Sequence, residues 1–372
     1  MSGNFSYSAE LAIYSYLFYI VMFIIASPYK NYKKHSYVVH SKGIILFFIC
    51  YALLNVFSFW EYDTYHTWED FQQGTNLYGY EDIYQKLAQN VGDSYFLWRS
   101  IVWIPACLFL YKSASYLKLV NSKLLLSIVL FGGFIGYTRA MLGFTILLYG
   151  VILFVDSENK RTKLIGLLIV VLSYFFHKSM YVAILFAFFA LYPLKRKQIK
   201  LLLIIFPILA SLTTFLVVSF SDMFSLFNLS AGVGDAGDGV VSRVLDNEKL
   251  LMNTSGKIMK IIEICPQYMI MFYMGIQIYK KKIFENLSHQ FTFHFLFRFA
   301  FWGFYVASLF YFTDFSSWIY ERFKHIAFFP MLIVLTAFFT YEKSYSKWMR
   351  NIVLYQMMFV ILSNFLRVYL NS

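Results

Sequence analysis

Apolar runs long enough to cross a bilayer, each ended by a short cluster of lysine and arginine, recur along the whole of this 372-residue chain. A hydrocarbon core about 30 Å thick takes roughly 20 apolar residues per helix, and fewer where neighbouring helices pack around them. On that ruler about twelve segments stand out, near 9–27, 43–60, 95–111, 124–137, 140–155, 164–177, 180–192, 201–220, 259–279, 291–312, 323–341 and 351–370. Lipid offers no partner to an open sheet edge, so such segments are expected to be helices. The charged fraction is 14%, against about 25% in a soluble domain. The fold class that follows is an all-α polytopic membrane protein, a single integral domain over residues 1–372. The first residues, Met1 to Glu10, lack the basic start of a cleavable signal, so the first segment is expected to remain in the protein.

A net charge of +12 would suggest nucleic acid as partner for a soluble chain. Here the cations sit in the loops, as the positive-inside rule describes, and no nucleic acid is expected. The loops around Lys30–Lys42, Lys112–Lys123, Lys160–Lys163, Lys195–Lys200, Lys280–Lys282 and Lys343–Arg350 hold 20 of the 32 basic residues, with only Asp156, Glu158, Glu285 and Glu342 among them. That asymmetry puts these loops inside and both termini outside. Two outer regions are long enough to fold. Residues 61–94 carry Asp63, Glu81 and other acids among tryptophans and tyrosines, and are expected to form short interfacial helices. Residues 221–257 include the glycine-rich stretch 231–239, too permissive for a regular element, which reads as a mobile lid. Cys50, Cys107 and Cys265 have no CxxC spacing and read as reduced thiols, so neither a disulfide nor a metal site is expected.

Segments four to seven are short and form two there-and-back excursions between cytoplasmic cations. Their basic tips, Tyr137-Thr138-Arg139 and Phe176-His177-Lys178, point to the outer face. Arg99, Arg243 and Arg322 join Arg139 and Lys178 there, and cations on several helices at one level can surround a diphosphate. Arginine suits the task because its planar fork makes two parallel bonds to phosphate oxygens. Taken singly, each also reads as an arginine that reaches to lipid headgroups. Gly132, Gly133, Gly136 and Gly143 flank Arg139 and permit close helix approach. His177, with an ordinary pKa near 6.5, can accept a proton or bond a phosphate, or simply cap a helix. Asp63 and Glu81 are the carboxylates able to orient or deprotonate an acceptor hydroxyl. Tyr65, Trp68 and Tyr137, beside charged loops, and His325, which shares a helix face with Arg322, are the candidates for sugar contact. His294 and Arg298 also share a face, but at the inner end, where Arg298 is expected to reach to the cytoplasmic headgroups, with a role in an inner gate as the alternative.

Five short motifs now stand in order: Asp63-Thr64-Tyr65-His66, Tyr80-Glu81-Asp82-Ile83-Tyr84, Tyr137-Thr138-Arg139-Ala140-Met141, Phe175-Phe176-His177-Lys178-Ser179-Met180 and Glu321-Arg322. In order and spacing the chain resembles the EpsG family of Wzy-type polysaccharide polymerases. It departs at Asp82-Ile83, where a proline or glycine more usually follows the glutamate. The resemblance implies a GT-C-like glycosyltransferase of the bacterial inner membrane, which joins repeat units of an O-antigen or capsule on the periplasmic face. Donor and acceptor would both be undecaprenyl-diphosphate-linked oligosaccharides, the growing glycan moving onto the non-reducing end of a new unit. By the same resemblance Arg139 and Arg322 grip the diphosphate, His177 assists, Asp63 or Glu81 handles the acceptor, and a chain-length co-polymerase is a partner. Lipid-linked transferases use either acidic metal ligands or arginines alone; the surplus of outer cations favours the metal-free, cofactor-free route. Two rivals remain. A flippase or exporter of the same lipid would need cations through the membrane depth, and a membrane O-acyltransferase would need paired histidines on the cytoplasmic side.

Overall fold

The computed structural model describes residues 45, 49, 52, 82–91, 94–130, 138–177, 180–219, 254–309, 316–342, 351–356 and 358–359. The main elements are α1 (Asp82–Val91), α2 (Tyr95–Tyr116), α3 (Ser122–Leu130), α4 (Thr138–Asp156), α5 (Lys160–Phe176), α6 (Met180–Leu191), α7 (Arg196–Ser219), α8 (Thr254–Lys281), α9 (Gln290–Leu309) and α10 (Ser316–Tyr341). There is no strand among the described residues. α2 to α10 coincide with the third to eleventh apolar segments, and several continue past the apolar run into the charged flank. α8 already begins at Thr254, so residues 254–257 are helical and do not belong to the expected lid. By length and composition, one stretch among the described residues is long and apolar enough to cross a membrane, Phe323–Tyr341, with Met141–Asp156 and Val182–Leu191 as shorter apolar helices.

Local chemistry marks the helix ends. Asn159 caps α5, its side chain accepting from Arg161 N at 2.8 Å, and Ser94 caps α2 through Leu97 N at 3.4 Å. The chain leaves α2 and α8 through Lys118 (φ 58°) and Lys282 (φ 55°), left-handed residues that turn the backbone while Leu119 N and Ile283 N reach back to Ala114 O and Ile278 O.

α9 is the central helix: fourteen of its twenty residues are buried. It can be enclosed because its neighbours bring small residues or aromatic edges to it. Gly303 lies against Ala327 of α10, where a Cβ on the glycine would come within 2.5 Å of the alanine Cβ. Phe186 of α6 meets Phe299 edge-on at 6.1 Å. Tyr305 of α9 donates its hydroxyl to Leu202 O of α7 at 2.8 Å, and Tyr268 of α8 donates to Phe304 O at 3.0 Å. On the periphery, Leu168 of α5, Ile184 of α6 and Ile204 of α7 are 59, 66 and 74% exposed, a surface that suits hydrocarbon and not water.

The first excursion does not close as a hairpin among the described residues. α3 lies against α10, and α4 packs on α2 and most extensively on α5. The reason is a glycine pair: a Cβ at Gly150 would stand 2.8 Å from Gly166 O, and one at Gly166 would stand 2.6 Å from Phe154 N. Only two glycines let these backbones touch, so α4 takes α5 as its partner.

The lysine clusters of the described residues, at 112–123, 160–163, 195–200 and 280–282, gather at one end of the bundle, where polar contacts tie helices together. Asp156, at the end of α4, accepts from Thr292 Oγ1 at 2.6 Å and pairs with His289 Nδ1 at 2.9 Å, both at the start of α9. The Tyr116 ring, at the end of α2, lies 5.9 Å from the His289 ring. Burial, and then the Asp156 charge, push the Tyr116 phenol above its ordinary range. At the same end, Lys281 pairs with Glu342 at 2.9 Å. Arg298 does not reach to the headgroups as expected: it is 6% exposed and turned into the bundle. It stands on the enclosed helix, and the packing that buries Phe297 and Phe299 beside it buries the guanidinium too.

Candidate active site

Opposite the lysine-rich end, the ends of α4, α5, α6 and α10 converge. α5 stops at His177, whose extended backbone (φ −161°, ψ 118°) breaks the helix while its N–H still donates to Ser173 O at 3.2 Å. Its carbonyl then accepts from Met180 N at 3.0 Å, the first residue of α6, so His177 closes the turn between two helices. The side chain is 8% exposed and lies 5.9 Å from the Phe144 ring of α4. Gly143 makes that contact possible, since a Cβ there would approach His177 Cβ to 3.2 Å. His177 thus closes the turn through its backbone, and its side chain lies beside the start of α4.

Register along parallel helices brings two arginines to the same level. Phe144 of α4 meets Phe329 of α10 with ring centroids 6.2 Å apart. Arg139 precedes Phe144 by five residues and Arg322 precedes Phe329 by seven, so their backbones lie about 7.5 and 10.5 Å from that contact, both toward the His177 end. Phe323, next to Arg322, packs edge-on against Phe186 of α6 at 5.7 Å. His325 is half-buried one turn further along α10.

α1 lies over the end of α5. Tyr84 meets Phe176, the residue before His177, at 6.3 Å, and its carbonyl accepts from Trp98 Nε1 of α2 at 3.3 Å. Arg99, one residue on, is fully buried. Its Nη1 donates to the Tyr95 hydroxyl at 3.1 Å, and its guanidinium lies 5.7 Å above that ring. Tyr84 closes the motif that begins at Tyr80, whereas Tyr95 and Trp98 escaped the sequence reading, although the four-residue spacing of Tyr95 and Arg99 already put them on one face. Asp63, Tyr65, Trp68, Glu81, Tyr137, Lys178 and Arg243 lie outside the described residues, as does nearly all of the expected lid. Within 61–94, the described residues before α2 form one short helix, α1.

The described elements thus place a histidine at a helix break, Arg139 at the start of α4, Arg322 nearly two turns into α10 and a buried Arg99 held by a tyrosine. The pattern of the EpsG family matches residues 78–372, which takes in every element from α1 to the last described residue. The chain belongs to the EpsG family. EpsG membership makes it a membrane protein of the polysaccharide-polymerase kind. No curated protein and no solved structure matches it.

Proposed function

We propose that this EpsG-family chain is a glycosyltransferase that polymerises lipid-linked oligosaccharide repeat units at the His177 end of the bundle, which faces the periplasm. What supports the reading is the contact of His177 with Phe144 and of Phe144 with Phe329, which sets the backbones of Arg139 and Arg322 at a similar level along their helices, toward the His177 end. In the proposed step, the bond between the reducing-end anomeric carbon of the growing glycan and its undecaprenyl diphosphate breaks, and the diphosphate leaves with the electron pair. A hydroxyl at the non-reducing end of a second lipid-linked unit forms the new bond, and its proton passes to Asp63 or Glu81. The leaving diphosphate needs no proton when cations stabilise its charge, which is the role given to Arg139 and Arg322, with Lys178, Arg243 and Arg99 around them and His177 assisting. Tyr65, Trp68, Tyr137 and His325 would contact the sugars. The wider architecture is read as about twelve GT-C-like spans in the bacterial inner membrane, working beside a chain-length co-polymerase.

Purified protein supplied with synthetic undecaprenyl-diphosphate repeat units is expected to build a ladder of longer lipid-linked glycans, and Arg139→Ala or His177→Ala protein that still inserts is expected to lose it. No ladder from well-folded wild-type protein given its own repeat unit would refute the polymerase and turn attention to export, measured as flipping in liposomes.

A further inference from the structure

α1 is ten residues long, too short to hold a helix in water by itself, so its seat on the bundle decides where it lies. It packs on both α2 and α5. Its inward stripe is Tyr84, Leu87 and Val91, three and four residues apart, while Lys86, Gln89 and Asn90 are exposed. Within that stripe Tyr84 is the fully buried residue. Two rings meet it edge-on: Trp98 of α2 at 6.2 Å and Phe176 of α5 at 6.3 Å. Trp98 adds a hydrogen bond, donating from Nε1 to the Tyr84 carbonyl at 3.3 Å.

The two partners of Tyr84 differ in kind. Trp98 belongs to a frame: it stacks on Tyr95 at 5.9 Å, the Tyr95 hydroxyl accepts from Arg99 Nη1 at 3.1 Å, and Trp98, Tyr95 and Arg99 are 0, 3 and 0% exposed. Side chains so tightly enclosed keep one arrangement. Phe176 is the last residue of α5, at a place where the backbone turns. The next residue, His177, leaves the helix in extended conformation, its N–H donating to Ser173 O and its carbonyl accepting from Met180 N. α4 touches that turn through Phe144 and Gly143. α1 reaches it through Tyr84 and Phe176, so one ring joins the enclosed frame to the turn that carries the imidazole.

We infer that Tyr84 is a positioning residue of the candidate active site: it fastens the His177 turn to the Trp98, Tyr95 and Arg99 frame and sets where the imidazole stands. The step that His177 assists is that of the polymerase reading, on which this inference rests, whereas the mechanical link has a readout of its own. Misplacing an assisting group by about 1 Å costs up to about a hundredfold in rate, so a link of this kind matters to turnover.

The test uses the full-length protein in nanodiscs, with a synthetic undecaprenyl-diphosphate repeat unit as substrate. Tyr84→Leu keeps an apolar side chain but removes both edge contacts. It is expected to lower kcat about tenfold and leave KM within about twofold of wild type, because the loss falls on the transition state. Tyr84→Phe keeps ring and carbonyl and is expected to match wild type. Phe284→Leu removes a ring just as buried, at the lysine-rich end, and is expected to lower the melting temperature comparably with kcat unchanged. Wild-type kcat in Tyr84→Leu, or an equal loss in Phe284→Leu, overturns the inference. Should Tyr84→Leu fail to fold, Phe176→Leu cuts the same link at a partly buried residue; a fall in kcat at constant KM supports the link and wild-type kcat overturns it. Should wild-type protein make no polymer, the polymerase reading fails, and the link is judged from carbethoxylation of His177 by diethyl pyrocarbonate, followed by mass spectrometry. Labelling several-fold faster in Tyr84→Leu or Phe176→Leu than in wild type and Tyr84→Phe supports it, and equal rates overturn it.

Discussion

Adding one methyl group at Gly166 tests whether backbone contact between α4 and α5 sets the geometry of the bundle. A Cβ there would lie 2.6 Å from Phe154 N, 2.8 Å from Gly150 O and 3.1 Å from Leu153 C, against an ordinary contact of 3.4 Å. All three are backbone atoms, so no side chain can swing aside and the helices must part by most of an ångström. Overpacking of this kind costs about 1–3 kcal/mol, while alanine in a helix interior recovers up to about 1 kcal/mol over glycine. Gly166→Ala is therefore expected to destabilise by about 1–2 kcal/mol. Gly143→Ala, whose closest neighbour is His177 Cβ at 3.2 Å, needs a shift of only a few tenths of an ångström and is expected to cost less than Gly166→Ala. Gly150→Ala pushes on the same two backbones, so once one substitution has separated them the second fits more easily, and the double variant should cost at least ~0.5 kcal/mol less than the two added. Unfolding in mixed micelles titrated with dodecyl sulfate, followed by circular dichroism, gives each value. A neutral or stabilised Gly166→Ala, or strict additivity with Gly150→Ala, would refute the reasoning.

At the lysine-rich end, Asp156→Ala leaves Thr292 and His289 without their acceptor and is expected to cost about 2–4 kcal/mol in the same titration, with Thr292→Val costing about 1. The Tyr116 phenol has its folded pKa raised above 10.0, so the stability it contributes is complete below pH 10 and is lost as pH climbs through the folded value. Tyr116→Phe should flatten that alkaline loss of melting temperature and leave the neutral-pH slope untouched. Lys118, at φ 58°, occupies a left-handed position that glycine adopts without strain, and Lys118→Gly is expected to stabilise by about 1 kcal/mol. If arginines alone stabilise the leaving diphosphate, polymer synthesis persists in EDTA; loss of turnover restored by magnesium or manganese would require a metal-assisted step.

Much of the candidate site was legible because its residues mark breaks in a strong pattern. His177 interrupts two apolar runs and Arg139 opens another, so spacing alone put them at helix ends; Arg322 opens an apolar run too, but its helix already begins at Ser316, before the apolar residues. Their common level needed tertiary register, which the Phe144–Phe329 contact supplies. Arg99 was legible as a cation near a helix start but not as a fully buried one clasped by Tyr95, because burial depends on which neighbour covers that face. The pairing of α4 with α5 instead of α3 was equally hidden, since Gly150 and Gly166 lie on different segments and neither announces its partner.

Arg298 draws the line most clearly. The amino-acid order alone determined that it lies two turns inside an apolar helix, because hydropathy and the lysine clusters set helix ends locally, through transfer of each side chain out of water. Whether that helix would face lipid, letting the arginine reach the surface, or stand enclosed, trapping it, was decided by packing: Gly303 against Ala327, Gly275 against Phe297 and Ile199, and aromatic edges from α6 surround α9 on several sides. Local free energies choose where helices begin and end, whereas a helix becomes central only through contacts made by residues far apart in the chain.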